Sequence, residues 1–117
     1  MFFMDCIFCK LANKEIESKI IYENDSFFSI PDANPVKKGH SLVISKKHFE
    51  TILDMPGSLA SEFLDCIKET SLKLIEENKA EGFNVHMNSF KVAGQLVMHL
   101  HAHILPRKSG DGFKPCA

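Results

Sequence analysis

Met98-His99-Leu100-His101-Ala102-His103-Ile104-Leu105-Pro106 sets three histidines on alternate residues. In an extended chain successive side chains point to opposite faces, so this stretch predicts a strand, Val97 to Leu105, with all three imidazoles on one face. Met98, Leu100, Ala102 and Ile104 then face the core on the other. The chain has six histidines, so half of them stand in this row. Packing a core strand requires no such row, which marks it as a place of chemistry.

Working outward, Ile7 to Asn13 reads as a short helix. Lys19–Glu23 and Ser26–Pro31 are rich in Ile, Tyr and Phe around Asn24-Asp25, a hairpin pattern. The loop from Asp32 to Gly39 leads into a third strand, His40 to Ser45. Ser58, after Pro56-Gly57, is placed to cap a long helix. In that helix Leu59, Phe63, Cys66, Ile67, Thr70 and Leu74 recur at helical spacing and form one buried stripe. Gly82 is the expected stop, Phe83 to Asn88 the fourth strand, and the histidine strand the fifth. Short strands joined by tight turns, with one long helix on the sheet, predict an antiparallel α+β domain spanning residues 1–117.

A chain of 117 residues suits one domain with a single core. The formal net charge of −1 argues against nucleic-acid or membrane-surface binding. No apolar run approaches the ~20 residues that cross a bilayer. The opening Met1-Phe2-Phe3-Met4-Asp5 is too short and too soon acidic for a secretory signal, so a cytoplasmic protein is expected. Of the four cysteines, Cys66 falls in the helical stripe as a small hydrophobe, and Cys116 is expected to lie in a disordered end. Cys6 and Cys9 form a Cys-x-x-Cys pair, open to a metal site or a redox couple. A redox couple of the thioredoxin type needs a preceding strand, for which five residues leave no room.

The histidine row admits two chemistries. On a straight strand His99 and His103 lie ~13 Å apart, whereas zinc–nitrogen bonds are ~2.0–2.1 Å, so one ion holds all three only across a sharp bend. A line of imidazoles suits an extended phosphoester instead, because histidine attacks phosphorus when neutral and donates a proton when charged.

His99-Leu100-His101-Ala102-His103-Ile104-Leu105 resembles the signature of the histidine triad (HIT) superfamily. Asp5-Cys6-Ile7-Phe8-Cys9-Lys10, Ile21-Tyr22-Glu23-Asn24-Asp25, Gly39-His40-Ser41-Leu42-Val43-Ile44, Lys46-Lys47-His48, Gly82-Phe83-Asn84, Ala93-Gly94-Gln95 and Pro106-Arg107 follow in family order. The N-terminal cysteine pair and Gly110-Asp111-Gly112 resemble its Hint-like branch. The resemblance implies a five-stranded antiparallel sheet with one long and one short helix, continued across a homodimer. It also implies nucleotidyl hydrolysis or transfer on purine nucleoside phosphoramidates. Dinucleoside polyphosphate hydrolysis, or a nucleotide-binding regulatory module with little activity, is the alternative. A zinc-dependent redox or structural module, with function following Cys6 and Cys9, is a further one.

By the same resemblance His101 is the nucleophile that forms a nucleotidyl-imidazole intermediate, and His103 contacts the phosphate. Asn88 and Gln95 match positions that hydrogen-bond the phosphate or leaving group, and Asp32 the acceptor for ribose hydroxyls. Read alone, Asp32 opens a turn before Asn34-Pro35. Ile7, Phe8, Ile16 and Ile30 match the lining of the base pocket. Cys6, Cys9, His48 and His99 match a structural zinc site, a donor set that suits zinc, with His99 both in the catalytic row and a ligand. His40 matches a structural position. Two residues depart from the family pattern. Phe90 stands where a glycine is common, and a side chain there resists positive φ. Leu96 stands where relatives carry a hydroxyl that assists the leaving group.

Overall fold

The computed structural model describes residues 5–113; Met1–Met4 of the opening segment, and Cys116, lie outside the described residues. The elements follow the order α1 (Ile7–Ala12), β1 (Tyr22–Glu23), β2 (Phe27–Pro31), β3 (Ser41–Ser45), α2 (Ala60–Asn78), β4 (Gly82–His86) and β5 (His101–Arg107). The strands make one antiparallel sheet in the order β1-β2-β3-β5-β4.

The period of two in β2, β3 and β5 divides the core between two faces. Phe27, Val43, Ala102 and Ile104 face α2, where Phe63, Cys66 and Leu74 complete a cluster with Leu100. Phe28, Ile30, Leu42 and Ile44 face α1 and pack with Phe8. On the α2 side the Thr70 hydroxyl donates to Ser29 Oγ at 2.7 Å, so the buried polar pair satisfies itself. Leu59 and Ile67 pack at the margin of the stripe, and Ser71 joins its buried residues.

Several boundaries differ from the sequence reading. Ser58 does not cap α2: it lies inside a short 3-10 turn, Gly57–Leu59, and Leu59 takes the N-cap position without a side-chain bond. Nor does Gly82 end the helix. Lys79 adopts the left-handed conformation at the C-cap (φ 52°), its N–H bonds Glu76 and Ile75 carbonyls, and Gly82 opens β4. The first hairpin is shorter than expected because only Tyr22 and Glu23 pair, although Asn24 Oδ1 does accept the Ser26 and Phe27 N–H groups in the turn. The fifth strand starts at His101, not Val97. The His99 N–H bonds Val97 O at 2.8 Å, a bend too tight for a strand. That bend leaves Met98 half-buried on the rim of a small surface cavity beside His48 and Leu96, not in the core.

Gly39 ties the loop before β3 to the sheet. Its φ is +89°, and a Cβ there would stand 2.6 Å from Pro106 Cγ and 2.8 Å from Asn78 Nδ2. Gly39→Ala is therefore expected to cost about 2–4 kcal/mol from left-handed strain plus overpacking. Guanidinium unfolding with an unchanged m-value checks this. A loss near zero would mean that Pro106 and Asn78 move aside freely.

Candidate active site and metal centre

The cleft lies on the α1 side of the sheet, with a volume of about 720 Å³, within the usual range for a small-molecule site. Ile7, Phe8, Ile16 and Ile30 are among its lining residues, together with Asp32, His40, Asn88, His101 and His103. Asp32 Oδ1 accepts the Asn34 N–H at 2.9 Å, the turn role, while Oδ2 lies 3.3 Å from His40 Nε2. The Asn88 side chain donates to Gly94 O at 3.3 Å and lines the cleft. Gln95 is buried and does not line it. Its Oε1 accepts the Phe90 N–H at 2.7 Å, and its Nε2 donates to Glu50 O and Val97 O at 2.7 and 3.0 Å. These bonds brace the loop at Phe90, which holds φ 72° and ψ 158° after all, a region otherwise left to glycine.

Obligatory partners fix the tautomer of each histidine of the row. A carbonyl only accepts, so His101, 2.7 Å from His99 O, carries its proton on Nδ1 and keeps a bare Nε2. His99 Nε2 lies 2.6 Å from Ser45 O and therefore carries the proton, leaving the Nδ1 lone pair free. Val36 N–H donates to His40 Nδ1 at 3.1 Å, so the proton of His40 is on Nε2, 2.9 Å from His103 Nδ1. His103 accepts there and carries its own proton on Nε2. Burial pushes His101 below the ordinary histidine range and His103 down to about 4, the crowding imidazoles adding to the effect on His103. Both rings are neutral near pH 7, one a nucleophile in form and the other a hydrogen-bond donor.

The bend at Val97–His99 gives His99 a different task. Its Nδ1 lies 3.3 Å from Cys6 Sγ, 3.5 Å from Cys9 Sγ and 3.2 Å from His48 Nδ1, and Cys9 Sγ lies 3.2 Å from His48 Nδ1. Tetrahedral zinc with ordinary bond lengths requires edges of about 3.3 Å between nitrogens and about 3.5 Å between nitrogen and sulfur. The donor set fits, and the Nε2–H bond to Ser45 O is the outer support that metal-binding histidines use. The Cys9 N–H also points at Cys6 Sγ, 3.4 Å away, at the start of α1. Burial and the neighbouring Cys6 push the Cys9 thiol up to about 12, a shift that a bound cation reverses.

Asp32, His40 and His103 are a second cluster with donor atoms close together. It does not fit a metal, because His40 already accepts at Nδ1 and must keep its proton on Nε2. Hydrogen bonding accounts for these contacts.

Two residues outside the sequence-derived site thus join it. His40 hydrogen-bonds His103, and His86 on β4 lies directly opposite His103 with the rings stacked at 4.7 Å and 19°. Strand pairing brings His86 there and the loop entering β3 brings His40; a lone histidine in each carries no such signal.

A HIT domain model matches residues 13–110 of the chain. The chain is 42% identical over 107 residues to an uncharacterized HIT-like protein, MJ0866, of Methanocaldococcus jannaschii, covering 92% of this chain and 82% of that one. It is 36% identical to adenosine 5'-monophosphoramidase HNT1 of Candida albicans, over 88% of this chain and 70% of that one. Its fold matches the crystal structure of SMU.412c from Streptococcus mutans UA159 with a TM-score of 0.90 at 34% identity, over 99% and 74% of the two chains. With two histidines of the row on β5, the third on the bend before it and these matches along its length, the chain belongs to the HIT family.

Proposed function

We propose that this HIT-family protein cleaves the α-phosphate bond of purine nucleoside phosphoramidates through a nucleotidyl-His101 intermediate. The observation that carries the reading is the His101 Nδ1–H bond to His99 O, which leaves Nε2 bare inside the cleft. Its lone pair attacks the α-phosphorus, the bond to the leaving amine breaks, and water then displaces the imidazole to release the nucleoside monophosphate. His103 donates from Nε2 to the phosphate oxygens as their charge grows. Asp32 accepts from the ribose hydroxyls, the base lies against Phe8, Ile7, Ile16 and Ile30, and Asn88 bonds the phosphate. Gln95 acts indirectly, by holding the loop that carries Asn88.

We further propose zinc at Cys6, Cys9, His48 and His99. Bound there, it supplies a structural crosslink between α1 and the start of β5. The sheet is proposed to continue through β4 into a second copy, since among the described strands β4 pairs only with β5 and exposes Phe83 and Val85.

The leaving group is read from charge. Among the described residues that line the cleft, Lys19 is the one lysine or arginine, against Glu17 and Asp32, while Leu96 at the rim is 92% exposed. A polyphosphate leaving group finds little countercharge here, which favours an amine with an apolar body over a dinucleoside polyphosphate. The test is release of AMP by the full chain from a fluorogenic arylamine adenosine phosphoramidate and from diadenosine polyphosphates. Preference for the first is expected; activity confined to the second would overturn the reading. Leu96→Ser is expected to lower kcat/KM for the arylamine substrate several-fold relative to the unsubstituted phosphoramidate, without loss of fold.

A further inference from the structure

We infer that His86 is a positioning residue of the site, holding the ring of His103 in the plane and tautomer in which Nε2–H meets the phosphate. This rests on the nucleotidyl-transfer reading for its consequence, though not for its geometry. His103 is enclosed on three sides by imidazoles. His101, on its own strand, meets it edge-on at 5.1 Å, and His40 hydrogen-bonds its Nδ1. His86 covers one ring face from the neighbouring strand, opposite in register and nearly parallel. The hydrogen bond from His40 fixes one point of the ring, which still pivots about that point. A stacked neighbour removes the pivot.

The charges around His103 act in the same sense. His101 from β5, His40 from the loop before β3 and His86 from β4 all oppose its protonation, while Asp32 from the end of β2 favours it. Burial is the larger effect and also opposes it. His86 in turn faces His103 and bears on His40, whose protonation it disfavours. His103 therefore stays neutral above its depressed midpoint. Removing His86 takes away one opposing group and uncovers a ring face, so the midpoint moves up.

An ordinary cross-strand pair contributes to sheet stability and leaves the chemistry of its partner unchanged. Long-range proton–nitrogen correlation spectra of the ¹⁵N-labelled full chain separate the two roles. In the wild type His103 is expected as the neutral Nε2–H tautomer from pH 8 to pH 5. In His86→Ala its midpoint is expected to rise by about half to one pH unit, with both tautomers populated. Turnover is expected to fall about three- to tenfold in kcat, with KM within twofold. His86→Phe, which restores a stacked ring, should recover the single tautomer and most of kcat. An unchanged tautomer and midpoint in His86→Ala overturn the inference, whatever happens to stability. Should that variant fail to fold, His86→Gln removes the ring from the same exposed position and carries the same comparison. The spectra need no substrate. A wild type inactive toward phosphoramidates but showing the shift would refute the proposed function and leave the His86–His103 coupling standing.

Discussion

His101→Ala is expected to lower AMP release from adenosine 5'-phosphoramidates by at least ~10³-fold, with nucleotide affinity close to that of the wild type. The loss corresponds to about 4 kcal/mol of transition-state stabilisation. The reason is local. Among the described residues only Nε2 of this ring combines a free lone pair, a neutral state and a position in the cleft, because His99 O holds the proton on Nδ1. His103 does not substitute, since His40 occupies its Nδ1 and its Nε2 carries a proton. The fold should survive, as β5 keeps its pairing to β3 and β4. Mass spectrometry of the quenched wild type is expected to show an added nucleotidyl group on His101 and none in the variant. Equal turnover in the two proteins would refute nucleophilic catalysis at this residue.

Disruption of the proposed zinc site is the second large effect expected. Cys9→Ala is expected to reduce bound zinc from one per chain to none, and to lower the melting temperature by about 10 °C or more. Cys9 is the thiol whose Sγ approaches both His48 and His99. Without the ion its neighbours are left as a half-buried thiol and two imidazoles facing one another, with His99 fully buried and its pKa driven down to about 4 by burial. Activity should fall about 10- to 100-fold as well, the range seen when a metal's surroundings are disturbed. The link is short: the His99 side chain would be held by the metal while its carbonyl orients His101. Zinc content by atomic emission, thermal melts with and without a chelator, and turnover on the same samples check this. A variant that loses zinc with unchanged stability and unchanged rate would show that the centre neither braces nor orients the strand.

The patterns that require only burial of one face were legible in the chain. Phe63, Cys66, Thr70 and Leu74 recur at helical spacing and do form the stripe that α2 buries. Ala102 and Ile104 alternate with His101 and His103 and do face opposite sides of the sheet. Cys6, Cys9, His48 and His99, a set implied by the family resemblance and not by periodicity, do bring their donor atoms together. Element ends were less legible, because they depend on single backbone conformations. Lys79 takes a left-handed turn that glycine was expected to take, and Phe90 holds positive φ because Gln95 braces it.

What periodicity could not express is who stands beside whom. The bend at Val97–His99 removes His99 from the row and turns it toward α1, and nothing in the alternation signals it. His86 reaches His103 through the register of β4 on β5, and His40 from the loop that leads into β3. Residue type and spacing determine which face a side chain shares. The proton on each imidazole, and hence whether it attacks, donates or binds a metal, is decided by an obligatory donor or acceptor that only the folded sheet brings within 3 Å or so.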